Sequence, residues 1–437
     1  MLFILDTILV LNIWIAIRYF KSLISPPVLT GGGMLAAAIV ATLYYDDWHL
    51  EYFNELSVFI LGGGTLVFTL YCIILSKIFP QIHIKSATDF DLSFIRLSRV
   101  KKFYYIIIVL GILGLLLNIY YMRSQYGMLS ISELIFSKRL DQRAGDNAFM
   151  LPSYIRQLGS LTIILSYFTA WLLSLGSFSK DKKYYKKIKL LLFVHLIIGI
   201  LNAILSGAKG AVYSIIAQNA TFFFIAYYSK KGNYNINLKL FCRVTLLILL
   251  LLFSFKNLNL IIGRDYSAER ASTDLLAEYC GAQIKNFDIY ITDNPKVGHG
   301  NVWGEHTFKV LHSEINPHHV VKIGKFQFIR NHNLGNVYTQ YYAFYEDFGL
   351  LGVFVMTFIV ALISMFFYNQ SLMSLINPQR INIYLFIYSS MTICLFMSFF
   401  SSWFTESVFS LGGIKTFIYL IIFVWFAKKF LFVKVNR

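Results

Sequence analysis

Three stretches of this sequence hold residue types that can do chemistry. Residues 263–340 carry six of the nine histidines (His299, His306, His312, His318, His319 and His332), together with eight basic and eight acidic residues. Imidazole titrates near neutral pH, so this segment has the means to move protons. His312, His318 and His319 are the candidate metal ligands, but their spacing matches no standard zinc pattern, and no metal or other cofactor is expected. The second stretch is Ser206-Gly207-Ala208-Lys209-Gly210 between two apolar runs. A cation beside glycine backbone and the start of a helix suits a phosphate group; the plainer alternative is a lysine that snorkels from a span to water. The third runs from Arg330 to Gly352 as RNHNLGNVYTQYYAFYEDFGLLG. It sets His332, then Tyr338, Tyr341, Tyr342 and Tyr345, then Glu346 and Asp347, at the entrance to an apolar run. Carboxylates there also complement a helix N-terminus, and tyrosines there also make an interfacial belt. Gly349 and Gly352 follow, at a spacing that allows close helix packing.

The elements that position these residues are membrane spans. Of 437 residues 57% are hydrophobic, 17% aromatic and only 14% charged, against about 25% charged in a soluble domain. A soluble enzyme is excluded. Apolar runs recur along the chain, each long enough for a hydrocarbon layer of about 30 Å. Eleven spans are predicted, at 2–20, 28–45, 56–79, 103–122, 154–178, 190–206, 210–228, 244–262, 342–367, 381–400 and 414–427. The first lacks a charged leader and is followed by Pro26 and Pro27, so it reads as a retained span and not a signal peptide. Cys72, Cys242, Cys280 and Cys394 lie far apart and suggest neither disulfides nor a metal site.

Charge gives the orientation. The net charge of +17 sits beside the spans, where basic residues set topology, so nucleic acid is not an expected partner. Segments 18–21, 77–102, 180–189, 229–243, 369–380 and 428–437 hold 23 of the 39 Lys and Arg, opposed only by Asp89, Asp91 and Asp181. These are the expected inner segments. The chain then divides into membrane helices 1–122, an outer loop 123–153, central membrane helices 154–262, a large outer loop 263–340 and membrane helices 341–437. Within the large loop, Leu276, Cys280, Phe287 and Ile291 share one face of an amphipathic stretch from Asp274 to Ile291. That pattern predicts a helix capped by Asp274 and lying on the membrane surface.

The Asn-Val-Tyr-Thr stretch, the aromatic run, the Asp-Phe-Gly-Leu-Leu-Gly entry to a span and the upstream Ser-Gly-Ala-Lys-Gly turn together resemble the bacterial O-antigen and capsule repeat-unit polymerases of the Wzy type. These motifs cover about 30 residues, and the long late loop agrees with the family over most of the chain. Lys209 stands where many relatives carry arginine. The family's Arg-x10-Gly loop motif is matched once, by Arg270 and Gly281. O-antigen ligases share a His-Asn motif and a Gly-x-x-Gly, but His332 and Asn333 stand further from Gly349 and Gly352 than in ligases, which favours polymerase.

The resemblance implies an all-α polytopic glycosyltransferase of the GT-C-like superfamily in the bacterial cytoplasmic membrane, acting on its outer, periplasmic side. Such an enzyme moves a growing glycan from undecaprenyl diphosphate onto an incoming lipid-linked repeat unit, without a nucleotide sugar. Membrane lipid and a chain-length regulator are its expected partners. Under that reading His332 is the first choice of base, with Asp347 and Glu346 as alternatives. Lys209, Arg264, Arg270 and Arg330 would hold the diphosphate, and Tyr338, Tyr341, Tyr342 and Tyr345 would stack on sugars. A transporter of lipid-linked oligosaccharide is the competing class, though no internal repeat of the transporter kind is evident in the sequence.

Overall fold

Apolar runs wind into helices because in hydrocarbon each backbone N–H and C=O must be satisfied within its own segment. The structure, a computed structural model, describes residues 1–79, 82, 87–144, 151–207, 209–235, 277–293, 297–298, 302–316, 324–329 and 332–433. In chain order the elements are α1 (Leu2–Phe20), α2 (Pro26–Leu43), α3 (Glu55–Ile78), α4 (Leu97–Tyr126), α5 (Ile131–Ala144), α6 (Ser153–Phe178), α7 (Lys183–Leu205) and α8 (Lys209–Lys231). There follow α9 (Ala282–Thr292), α10 (Lys309–Ile315), β1 (Gln327–Ile329), β2 (His332–Gly335), α11 (Gln340–Ser371), α12 (Ile383–Phe396), α13 (Trp403–Val408) and α14 (Leu411–Phe426).

Nine helices among the described residues are long and apolar enough to cross a membrane. The chain is a multi-pass α-helical membrane protein. The expected span 244–262 lies outside the described residues. The span expected at 381–400 is a shorter apolar helix, Ile383–Phe399. The second span starts two residues earlier than expected, at Pro26, because proline at the first helical positions lacks only an N–H that would have no partner there. The strands were not expected: β1 and β2 form one antiparallel hairpin, with Phe328 opposite Asn333 and Ile329 opposite His332.

Two compact units draw on distant parts of the chain. The first comprises Met1–His83, Thr273–Leu372 and Ile387–Ile418. Here α3 carries a π-helical turn at Phe59–Gly63. A side chain at Gly62 would press on Leu5 and Ile8 of α1, and one at Gly64 on the ring of Tyr341 of α11. These glycines let α1 and α11 close on α3.

In the same unit α9 departs from expectation. Residues 281–288 are buried without interruption, including Gln283, Lys285, Asn286 and Asp288. It is therefore an internal helix and not one lying on the membrane surface, because its polar face has protein partners. Lys285 Nζ donates to Asp288 Oδ2 at 3.1 Å and to the carbonyl of His49 at 3.0 Å, while Asp288 Oδ1 accepts from the Asn54 backbone N–H at 2.7 Å. Residues 277–280 are helical too, and a turn at Gly281 separates them from α9; Asp274 lies outside the described residues. A Cβ on Gly281 would stand 2.9 Å from the backbone nitrogen of Ala41 in α2. Gly281→Ala is expected to cost about 1–3 kcal/mol, the range for overpacking. Thermal melts of the purified variant in detergent check this, and a wild-type melt would mean that α9 can slide away from α2.

The second unit comprises Ile84–Ser272, Met373–Phe386 and Tyr419–Arg437. Its core is a bundle of α4, α6, α7 and α8 around aromatic rings, with Phe168 set 5.7 Å from Trp171 and 5.0 Å from Phe423. One end of this bundle is stitched from five of the six basic segments assigned to the inner side. Thr88 N–H donates to Ser229 O, Lys180 N–H to Phe90 O and Arg96 N–H to Leu431 O, and Gln379 Nε2 donates to Asp91 O. Asp89 pairs with both Lys180 and Lys230. These exposed ion pairs add little stability. Their value is as evidence that the basic segments converge on one end, as the charge asymmetry requires.

Candidate functional site

The tyrosine and carboxylate stretch is organised by the start of α11, and α9 supplies what the sequence reading missed. Tyr290, on α9, donates its hydroxyl to Glu346 Oε2. Three further tyrosine rings surround that contact. Tyr342 meets Tyr290 edge-on at 4.8 Å and stacks on Tyr338 at 4.4 Å, while Tyr345 stands 6.4 Å from Tyr290. The His306 ring lies 5.5 Å from Tyr342. Tyr338 is itself fixed, donating to Lys325 O at 2.9 Å and accepting from Gln327 Nε2 at 3.1 Å. Glu346 is thus a part-buried carboxylate in an aromatic cup. Burial first, and the Glu346 carboxylate second, push the Tyr290 phenol far above its ordinary range, so it stays protonated and acts as a donor.

Asp347 does different work from its neighbour. Its carboxylate accepts from the backbone N–H of Thr307 at 2.6 Å and of His306 at 3.1 and 3.2 Å. It ties the 305–308 turn to α11, and Thr307 Oγ1 adds a bond to Ala343 O at 3.2 Å. Tyr341 faces away from the cup: it is fully buried, with its hydroxyl 3.2 Å from Thr65 Oγ1. That removes Tyr341 from the tyrosines able to stack on a sugar and makes it core. Gly349 and Gly352 also act otherwise than expected. Gly349 takes φ +64°, and a Cβ on Gly352 would strike Phe344 O and Phe348 Cβ of the same helix. They permit a kink in α11, not the approach of a second helix.

His332 opens β2, opposite Ile329; its side chain lies outside the described residues, as do Arg264, Arg270 and Arg330. The hairpin is nonetheless tied to α9, because Asn286 Nδ2 donates to both Leu334 O and Val337 O at 2.9 Å. One helix therefore fixes the strand that starts with His332 and, one turn later, supplies Tyr290 to Glu346. Tyr290 and Asn286 had a signal in the sequence only as positions among the polar residues of an amphipathic helix. Lys209 belongs to the second unit, where it is the first residue of α8 and is buried.

Among the described residues, no three His, Cys, Asp or Glu side chains gather where a metal ion would bind; His318 and His319 lie outside them, and His312 Nε2 is 3.1 Å from Trp303 O. The fold and the cup define a multi-pass membrane protein with an anchored carboxylate at the head of a span. No protein-family model matches the chain, and no curated protein or solved structure matches it.

Proposed function

We propose that this protein polymerises lipid-linked glycan, transferring a growing chain from undecaprenyl diphosphate to the sugar hydroxyl of an incoming lipid-linked repeat unit. The observation that carries this reading is the Glu346 carboxylate, held by Tyr290 among Tyr338, Tyr342 and Tyr345 at the start of α11. In the reaction the acceptor hydroxyl attacks the anomeric carbon, the bond from that carbon to the diphosphate oxygen breaks, and Glu346 takes the hydroxyl proton. Tyrosine rings suit the apolar faces of sugars, and the Tyr290 hydroxyl orients the base. His332 stands as the alternative base. Arg330 is the proposed cation for the leaving diphosphate, since charge grows there in the transition state. The same reading places the chain in the GT-C-like superfamily, with eleven spans, in the bacterial cytoplasmic membrane and with the cup outward. Undecaprenyl-diphosphate-linked oligosaccharide, membrane lipid and a chain-length regulator are its partners.

Purified full-length protein in detergent, given lipid-linked repeat units alone, is expected to produce lipid-linked chains several repeats long. Neither nucleotide nor divalent metal is needed. Units left unextended, but carried across vesicles by the reconstituted protein, would replace this reading with that of a transporter.

A further inference from the structure

At the end of the second unit where the basic segments are stitched together, four lysines are joined by a chain of contacts. Asp89 pairs with Lys180, at 3.3 Å, and with Lys230. Two residues beyond Lys180, Lys182 turns back on α6: its Nζ donates to Gly176 O at 3.0 Å and to Ser177 O at 2.7 Å, capping the last carbonyls of that helix. The Lys182 ammonium stands 5.9 Å from the ring centroid of Tyr185, and the Lys189 ammonium stands 5.9 Å from the same ring. Tyr185 is seated there because it packs on bare Gly176, where a Cβ would come within 2.1 Å of the ring. Burial first, and the Lys230 cation second, hold the Lys182 amine below its ordinary range. The carboxylates of these basic segments are already engaged: Asp89 by two lysines, Asp91 by the backbone N–H and hydroxyl of Ser93, and Asp181 by the backbone N–H of Lys183.

Like charges gathered in this way repel, and an anion set among them is attracted by all four. The arrangement has two centres, with Lys180 and Lys230 at Asp89 and with Lys182 and Lys189 at Tyr185. Apolar surface adjoins it: the rings of Phe178, Phe223 and Tyr227 pack with centroids 5.1 to 6.2 Å apart, and Lys231 stands 5.4 Å over Tyr227. Ammonium groups over aromatic rings at the ends of spans mark the level where headgroups meet hydrocarbon. We propose that Lys180, Lys182, Lys189 and Lys230 form a headgroup site for a bilayer phospholipid bearing two phosphates, a cardiolipin, with one phosphate at each pair of lysines. The plainer alternative is a set of solvated lysines neutralised by mobile counter-ions. Such a set has no use for acyl chains and no preference for paired phosphates. The lipid site is independent of the reaction proposed above.

The test uses full-length protein in dodecyl maltoside, with cardiolipin as probe and phosphatidylglycerol and phosphatidylcholine as comparisons, read by native mass spectrometry. Wild type is expected to hold cardiolipin tenfold or more tighter than phosphatidylglycerol, which has one phosphate, and to hold phosphatidylcholine least. Lys182→Gln with Lys189→Gln, and Lys180→Gln with Lys230→Gln, are each expected to weaken cardiolipin binding tenfold or more. Lys182→Arg should stay within threefold of wild type, and Arg156→Gln, at the opposite end of α6, should match it. Cardiolipin held no more tightly than phosphatidylglycerol overturns the site, and so does wild-type affinity in either glutamine pair or an equal loss from Arg156→Gln. A loss from Lys182→Arg as large as from its glutamine pair marks Lys182 as a helix staple and overturns it as a ligand. Displacement by inorganic phosphate at equal concentration would give the lysines to free anions and overturn the lipid. If the glutamine pairs do not fold, the wild type decides: acylation of residues 182 and 189, mapped by mass spectrometry, must slow when cardiolipin is added and not when phosphatidylcholine is. Unchanged acylation overturns the site.

Discussion

Glu346→Gln is expected to lower chain elongation by about 10²- to 10⁴-fold, the loss that follows removal of a general base, while leaving the melting temperature close to wild type. Glutamine keeps an oxygen to accept the Tyr290 hydroxyl that now bonds Glu346, so the cup survives and only the proton acceptor is lost. In cells able to flip and ligate the repeat unit, the surface glycan should collapse from a ladder to single repeats. Tyr290→Phe should lose less, about ten- to 150-fold, because a hydrogen bond to a charged group is worth about 1.5–3 kcal/mol. Asp347→Asn should act through the fold instead, since that carboxylate anchors the backbone of His306 and Thr307. A full ladder from Glu346→Gln, with His332→Ala giving single repeats, would move the base to His332. A full ladder from both would leave the polymerase without a base and end the reading.

How much of this was legible beforehand depended on what each residue touches. The spans were, because a run such as Leu2–Phe20 has one solution in hydrocarbon whatever surrounds it. The convergence of basic segments was legible too, as a charge asymmetry, although the sharing of Asp89 by Lys180 and Lys230 was not. The carboxylate pair at 346 and 347 was visible, yet nothing local separates the two roles. Glu346 meets a tyrosine 56 positions away and Asp347 meets backbone about 40 positions away. The burial of α9 was misread for the same reason: Lys285, Asn286 and Asp288 look like a wet face until their partners at His49, Leu334, Val337 and Asn54 are known. Lys138 is the same case in the second unit. A lysine on a polar helix reads as solvated, and only the packing of Leu134 and Ile135 against Met122 and Leu205 turns it inward.

That long-range polar pinning should also produce the largest effect on stability, at Lys285. The Lys285 and Asp288 side chains are 8% and 2% exposed and lie 3.1 Å apart. Each also binds the connection between α2 and α3, through His49 O and Asn54 N–H. Lys285→Met would leave the Asp288 carboxylate buried without its cation, a loss of about 3–5 kcal/mol when one partner of a buried pair is removed. Against a typical stability of about 5–15 kcal/mol, that is enough to empty the folded population of a marginal protein. The double variant Lys285→Met with Asp288→Leu removes both charges together and should recover part of the loss. Recovery should stop short of wild type, because His49 O and Asn54 N–H then lose their partners at about 1–3 kcal/mol each. Melts of the four proteins in detergent form a complete cycle, and elongation per folded molecule should change much less than abundance does. Additive losses across that cycle would mean that the two charges are not coupled, and a wild-type melt for Lys285→Met would mean that α9 is held in place by its apolar contacts alone.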